Sequence, residues 1–158
     1  MKNESNYEWK IKRFKDLKTT ELYEIMKARA EVFIVEQKCI YQDNDDRDKY
    51  AWHLFLEKDG EVIAYLRILD KGIVYNEVAI GRVLTLKPYR KKGYAHEMIE
   101  KAILFVENEL KEDSIRLLAQ TYIQKFYEQH GFVSASDISY TDGKEHIEMV
   151  RKCRENVA

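Results

Sequence analysis

Residues 78–106 read VAIGRVLTLKPYRKKGYAHEMIEKAILFV, and the arrangement of the rest of the chain follows from this stretch. Val78 to Leu86 is almost continuously apolar and rich in β-branched residues, the pattern of a strand covered on both faces. Pro88 has no N–H to give a ladder, so the strand must end before it. Apolar residues then recur at Ile99, Ala102, Ile103, Val106 and Leu110, the stripe of a helix resting on a sheet. Between strand and helix lies Arg90-Lys91-Lys92-Gly93-Tyr94-Ala95. A helix start carries unpaired N–H groups and the positive end of the helix dipole. Gly93 permits a tight turn or a close backbone approach, and three basic side chains surround the same point. Taken alone, the segment reads as a solvated basic turn or as an anion site, above all for a pyrophosphate. Its place at a strand-to-helix junction favours the anion site. It is not a Walker A loop, because no Gly-Lys-Ser/Thr follows, and it lacks the second and third glycines of a dinucleotide fingerprint.

The chain's 158 residues suffice for one domain with a substantial core, so residues 1–158 are read as a single domain. A net charge of -1 gives no overall pull toward nucleic acid or membrane. Cys39 and Cys153 lie far apart in no metal-ligand spacing, which predicts a reduced, cytoplasmic chain without a metal site. Neither cysteine has an evident base beside it, so a covalent route through either is disfavoured. The polar N-terminus is not a signal peptide, and no apolar run approaches membrane-spanning length.

Outward from the central stretch, Tyr7, Trp9 and Ile11 alternate with charged residues, the period of a half-buried strand. Thr19 or Thr20 is the expected N-cap of a first helix whose face is Leu22, Ile25, Met26, Ala30 and Phe33. The segment from Phe33 to Asp43 is less regular and is expected to bend or break that helix. The run Asp43-Asn44-Asp45-Asp46-Arg47-Asp48 lacks the central glycine and terminal glutamate of a calcium loop, and reads as an exposed acidic loop. Its negative field would also suit a cationic acceptor. Trp52–Leu56 and Val62–Leu69 are strands joined through Asp59-Gly60, a strong hairpin signal. A central strand from Tyr75 to Leu86, a helix from Gly93 to Leu110 and a strand from Ile115 to Ala119 imply a parallel, right-handed crossover. Ile123, Phe126 and Tyr127 mark a short helix ended by Gly131. A last hairpin is predicted over Phe132–Ser139 and Glu145–Arg151, turned by Asp142-Gly143. The order β-α-ββ-β-α-β-α-ββ predicts an α/β (α+β) fold.

The loop Arg90-x-x-Gly93-x-Ala95, with Pro88 and a strand before it, resembles motif A of the GNAT N-acetyltransferase superfamily. The element order resembles that fold over nearly the whole chain. Within it the chain is similar to the ElaA-type group of bacterial proteins. That likeness is carried by Arg29-x-x-Val32-Phe33-x-Val35-Glu36-Gln37-x-Cys39-x-Tyr41-Gln42, Ala64-Tyr65-x-Arg67-Ile68-Leu69, Ile80-Gly81-Arg82-Val83 and the segment Ala119–Phe132. The resemblance implies a mixed, mostly antiparallel sheet with a central parallel strand pair and helices on both faces. It also implies acetyl-CoA as co-substrate, with the pyrophosphate held by the amides of the loop Arg90, Lys91, Lys92, Gly93, Tyr94, Ala95 and His96. A bulge in the central strand would free a backbone N–H near Leu84 for the oxyanion, and Leu84, Thr85 and Leu86 would bond the pantetheine arm. Tyr127, in Phe126-Tyr127-x-x-x-Gly131-Phe132, corresponds to the family's acid for the leaving thiolate; by its helix face alone it is a core residue. Many relatives have asparagine where this chain has Gln120, which can still bond the pantetheine amide.

Acetyl transfer to an amine also needs a proton acceptor, and Glu36, Glu77 and His53 are the candidates, with Glu36 first. His53, flanked by Trp52, Leu54 and Phe55, reads more readily as a hydrogen-bonded core histidine. Arg67 and Arg82 stand on otherwise apolar strand faces and must find acceptors, because an unpaired buried charge is costly. The acceptors are either Glu31, Glu36 or an aspartate of the acidic run, or a carboxylate on the substrate. Arg29, Glu36, Tyr41, Arg67 and Arg82 are thus expected to wall an acceptor pocket suited to a small-molecule amine rather than a protein. The expected molecule is a monomer or homodimer. A non-catalytic acyl-CoA-binding module of the same fold, or an interaction protein that keeps the fold only, is the competing expectation.

Overall fold

The computed structural model describes residues 6–153. In chain order the strands are β1 (Tyr7–Arg13), β2 (Trp52–Lys58), β3 (Glu61–Leu69), β4 (Val78–Thr85), β5 (Ser114–Gln120), β6 (Val133–Ser134), β7 (Ser139–Thr141) and β8 (Lys144–Lys152). The helices are α1 (Thr19–Arg29), α2 (Tyr94–Asn108) and α3 (Gln124–Glu128). Two compact units share this chain: residues up to Ile68 with Arg82–Met98, and Leu69–Gly81 with the residues from Ile99 onward. The fold is a mixed, mostly antiparallel sheet with helices. The first unit carries the order β1-β2-β3-β4, and the second β4-β5-β8-β6 with β7 beside β8. Among the described residues no helix is long and apolar enough to cross a membrane.

In the first unit, β1 runs antiparallel to β2 in continuous register, Tyr7 opposite Lys58 and Arg13 opposite Trp52. The β2–β3 turn is the one its sequence demands, with Asp59 at φ 50° and Gly60 at φ 84°, the two positive values of a tight hairpin turn. Every residue of β3 from Val62 to Leu69 is buried, which explains its near-continuous apolar run.

Helix α1 starts one residue earlier than its threonines suggest. Glu21 Oε1 accepts the Lys18 N–H at 2.8 Å, so Lys18 takes the cap position and Thr19 is already helical. Glu21 is only 3% exposed and also accepts from Lys10 Nζ (3.0 Å) and Lys12 Nζ (2.9 Å) of β1. Burial acts to raise its pKa, but the Lys18 amide and the two lysines outweigh it and bring the carboxyl down to about 2. A depressed carboxylate stabilises the fold above its unfolded pKa, and that contribution disappears as pH falls toward the folded value. Glu21→Gln is therefore expected to flatten the decline in melting temperature between about pH 4.5 and pH 2, as measured by circular dichroism across that window. A decline as steep as in the parent protein would refute the assignment.

Beyond Arg29 the helix widens rather than breaks. Residues Ala30–Glu36 form a π-helical segment, with Gln37 N–H on Val32 O (3.2 Å) and Cys39 N–H on Ile34 O (3.3 Å).

The second unit holds the parallel pair. Strand β4 meets β5 at Val78 opposite Ile115 and Ala79 opposite Arg116. The stripe expected on α2 is buried at Ile99, Ala102, Ile103 and Val106, while Leu110 falls just past the helix end. Strand β4 starts at Val78, three residues later than its apolar run suggests. The final hairpin departs from expectation in its first arm, which is two short strands, β6 and β7, both on β8. Ser136 explains the interruption: its Oγ accepts the Glu148 N–H at 2.9 Å, replacing a main-chain carbonyl in the ladder. The closing turn keeps positive φ at Asp142 (52°) and Gly143 (75°).

Candidate active site

Strand β4 is regular as far as Gly81, and then Arg82 turns left-handed at φ 52°. For a non-glycine residue inside a strand this marks a bulge, which leaves part of the ladder unpaired. Leu84 is buried two residues on, Thr85 ends the strand, and the Leu86 N–H bonds Ile63 O of β3 at 2.9 Å. Pro88 opens a short 3-10 turn over Lys87–Tyr89, as a residue without an N–H can.

The basic loop then forms a concave backbone. Lys91 lies at φ 64° and Gly93 at φ 85°, and Gly93 O accepts the first bond of α2, from Glu97 N–H at 3.1 Å. The N–H groups of Tyr94 and Ala95 come before that bond, in the first turn that an α-helix leaves without i−4 carbonyls. Amides converging beside left-handed residues make an anion nest. A Cβ at Gly93 would meet nothing within 4 Å, so the site is open and only the backbone conformation calls for glycine there. Lys91 and Lys92 are exposed, Lys92 Nζ lies 5.8 Å over the Tyr89 ring, and Lys58 Nζ stands 5.1 Å from the same ring. The loop therefore fits a polyanionic phosphate ester.

Arg90 points the other way. Its Nε donates to Thr85 O (2.9 Å), and its fork grips Glu36 through two bonds of 2.8 Å. The Arg90 hydrogen bonds hold the Glu36 carboxyl below its ordinary pKa. Glu36, first choice as a base on sequence grounds, is thus an ionised partner of the loop and a poor proton acceptor. It also borders a cavity of about 430 Å³ beside Glu24, Glu31, Glu61, Lys87 and Leu86.

His53 is fully buried between β1 and β3 positions, with Nδ1 2.7 Å from the Tyr65 hydroxyl and Nε2 2.9 Å from Asp48 O. Burial keeps its pKa below the usual histidine value. It sits as a hydrogen-bonded core histidine, the alternative its apolar neighbours suggest. Glu77 is likewise occupied, accepting from Arg116 Nε at 2.9 Å.

The acidic run is an exposed loop only at Asn44, Asp46 and Arg47. Asp43 and Asp48 are buried, and they neutralise arginines from three elements. Arg29, fully buried at the end of α1, donates Nε to Asp43 Oδ2 (2.8 Å), Nη1 to Asp48 Oδ1 (2.7 Å) and Nη2 to Asp43 O (3.0 Å). Arg67 of β3 shares Asp48 Oδ1 (2.9 Å) and forks onto Asp45 (2.7 and 2.9 Å). Arg82 of β4 donates to Asp43 Oδ1 (2.9 Å) and Asp43 O (3.0 Å). Burial would raise the Asp45 and Asp48 pKa values, but the arginines outweigh it and hold both carboxyls low. Tyr41 donates its hydroxyl to Asp43 Oδ1 at 2.9 Å; burial and that carboxylate push the phenol up to about 12. Arg29 is therefore an internal counter-ion with all its nitrogens engaged, and Arg67 is one through its two Nη atoms, while its buried Nε has no hydrogen-bond partner. The signal was in the sequence, since guanidinium on apolar strand faces requires acidic partners and four aspartates lie in one short run.

In the second unit, Tyr127 of α3 is 4% exposed, packed edge-on to Phe126 (5.1 Å) and Phe132 (5.9 Å). Burial pushes its hydroxyl well above the ordinary phenol value. Gln120 closes β5 opposite His146 of β8 and is half-buried. The Cys153 thiol is pushed up to about 11, chiefly by burial, so it is no ready thiolate.

A family model described as an acetyltransferase (GNAT) domain matches residues 16–153. A UPF0039 protein of Synechocystis is 35% identical over 143 residues, 90% of this chain and 93% of that one. The crystal structure of Escherichia coli ElaA superposes with a TM-score of 0.87 at 31% identity, covering 92% of this chain and 99% of that chain. An acyl-CoA N-acyltransferase from Pseudomonas aeruginosa superposes with a TM-score of 0.86 at 37% identity, covering 91% and 99%.

Proposed function

Because this chain belongs to the GNAT acetyltransferase family, in its ElaA-type group, we propose that it transfers an acetyl group from acetyl-CoA to a primary amine, directly, within a ternary complex. The observation that carries the proposal is the left-handed backbone at Lys91 and Gly93 where the basic loop runs into the start of α2, so that the loop and the positive end of the helix face the same point. In this reading the loop amides hold the pyrophosphate, and the main chain of Leu84, Thr85 and Leu86 bonds the pantetheine arm with help from Gln120.

The amine nitrogen attacks the thioester carbon, charge gathers on the carbonyl oxygen, and the C–S bond then breaks. A backbone N–H near Leu84, beside the bulge at Arg82, is the donor proposed for the oxyanion; such donors are worth about 2.7–4 kcal/mol of barrier. Tyr127 is the proposed proton source for the departing thiolate. The amine's own proton passes to solvent, because Glu36 held low by Arg90 suits attraction of an ammonium better than removal of its proton. A small-molecule amine is the proposed acceptor.

Titration calorimetry with acetyl-CoA, followed by thiol release across an amine panel, tests the proposal. Gly93→Val forces a β-branched residue to φ 85° and is expected to weaken acetyl-CoA binding tenfold or more, while Lys91→Ala changes it less than threefold. Normal binding by a folded Gly93→Val would sink the loop assignment. Binding without thiol release by any amine would favour a non-catalytic acyl-CoA module, a reading supported by the fact that Glu36 and His53 are both already engaged.

A further inference from the structure

Arg82 adopts a left-handed backbone although the neighbouring residue is Gly81, which could do so without steric cost and does not. For an L-residue the conformation is disfavoured roughly tenfold. Something must hold it, and the Arg82 side chain is held at every turn. Its Nε and Nη2 grip Asp43 Oδ1 and Asp43 O at 2.9 and 3.0 Å, its Nη2 lies 3.6 Å from Asp45 Oδ2, and its guanidinium sits 5.6 Å from the Tyr41 ring centre. Asp43 is itself held by other partners. Arg29 bonds its other carboxylate oxygen at 2.8 Å and the same backbone oxygen at 3.0 Å, and Tyr41 bonds Oδ1 at 2.9 Å.

We infer that Asp43 and Arg82 are positioning residues: Asp43, anchored by buried Arg29, clamps Arg82 and so fixes the β4 bulge that aims the main-chain donors at Val83 and Leu84. The inference rests on the acyltransferase reading for its catalytic consequence, but the clamp itself is a property of the free protein. It also reassigns Arg82. A guanidinium already committed to Asp43 sets backbone geometry rather than reading a substrate carboxylate.

Glycine separates the two roles, since it accepts a left-handed backbone and has no guanidinium. Amide NMR of the free protein should show the Val83 and Leu84 resonances displaced in Arg82→Ala and returned close to their parent positions in Arg82→Gly. In thiol release from acetyl-CoA with the fastest amine of the panel, Arg82→Ala should lose about tenfold in kcat, the conformational penalty expressed as rate. Its amine KM should move less than twofold, and Arg82→Gly should recover most of the loss. Equal losses in the alanine and glycine variants, expressed in amine KM, would overturn the inference and make Arg82 a substrate contact. Unmoved Val83 and Leu84 resonances in Arg82→Ala would also overturn it, by showing a self-supporting bulge. If Arg82→Ala does not fold, Asp43→Asn takes its place, with displaced Val83 and Leu84 resonances supporting the clamp and parent-like ones overturning it. Parent protein that binds no acetyl-CoA would defeat the acyltransferase reading, while the NMR comparison still judges the clamp.

Discussion

Arg29→Met is expected to destabilise the protein by about 3–5 kcal/mol, the range for removing one partner from a buried ion pair. At roughly 2–4 °C per kcal/mol for a chain of this size, the melting temperature should fall by roughly 6–20 °C. The cost arises from what is left behind. Asp43 and Asp48 lose three short hydrogen bonds from a side chain that is 0% exposed, and water cannot replace them without opening the end of α1. Methionine fills much of the volume, so the loss reports charge rather than cavity. The control is Lys49→Ala. The Lys49–Asp46 pair is equally visible at 3.2 Å, but its side chains are 61% and 92% exposed, and its loss should cost no more than about 0.5 kcal/mol. Thermal melts of both variants decide the matter; similar small shifts would mean that the buried cluster contributes no more than a surface pair.

The second large effect is on rate. Tyr127→Phe should lower kcat on the order of 10²-fold while leaving acetyl-CoA affinity unchanged, because general acid catalysis acts only as the thiolate departs. The substitution removes one oxygen and keeps the ring between Phe126 and Phe132, so the fold should be undisturbed. Burial holds the hydroxyl protonated well beyond the ordinary phenol range, so its own ionisation should produce no basic limb in a neutral-pH assay. Full turnover in the phenylalanine variant across the pH range would make Tyr127 a packing residue.

What the sequence reveals and what it conceals divide along a physical line. Asp59-Gly60 dictated its turn because only local backbone energetics are involved, and the α2 stripe named its own buried face. The loop at Arg90–Ala95 was legible for the same reason, since a helix start and a glycine are local facts. Asp43 and Asp48 were misread as solvated because burial of a charge depends on a partner distant in sequence, here Arg29, Arg67 and Arg82. The role of Glu36 was obscured likewise, since its partner Arg90 lies 54 residues away. The interrupted arm before β8 turned on one serine hydroxyl replacing a carbonyl, which no hydrophobic pattern records.

The cluster of Arg29, Arg67 and Arg82 against Asp43, Asp45 and Asp48 cancels three charges against three. Seen from beyond a Debye length it has no monopole and leaves the protein's far field untouched. A polyanion diffusing toward this protein therefore senses the solvent-facing ammonium groups of Lys91 and Lys92, with Lys58 nearby, and not the far denser charge beneath. Capture and internal architecture are thus set by separate charge populations. Dissolved salt weakens the first and barely reaches the second.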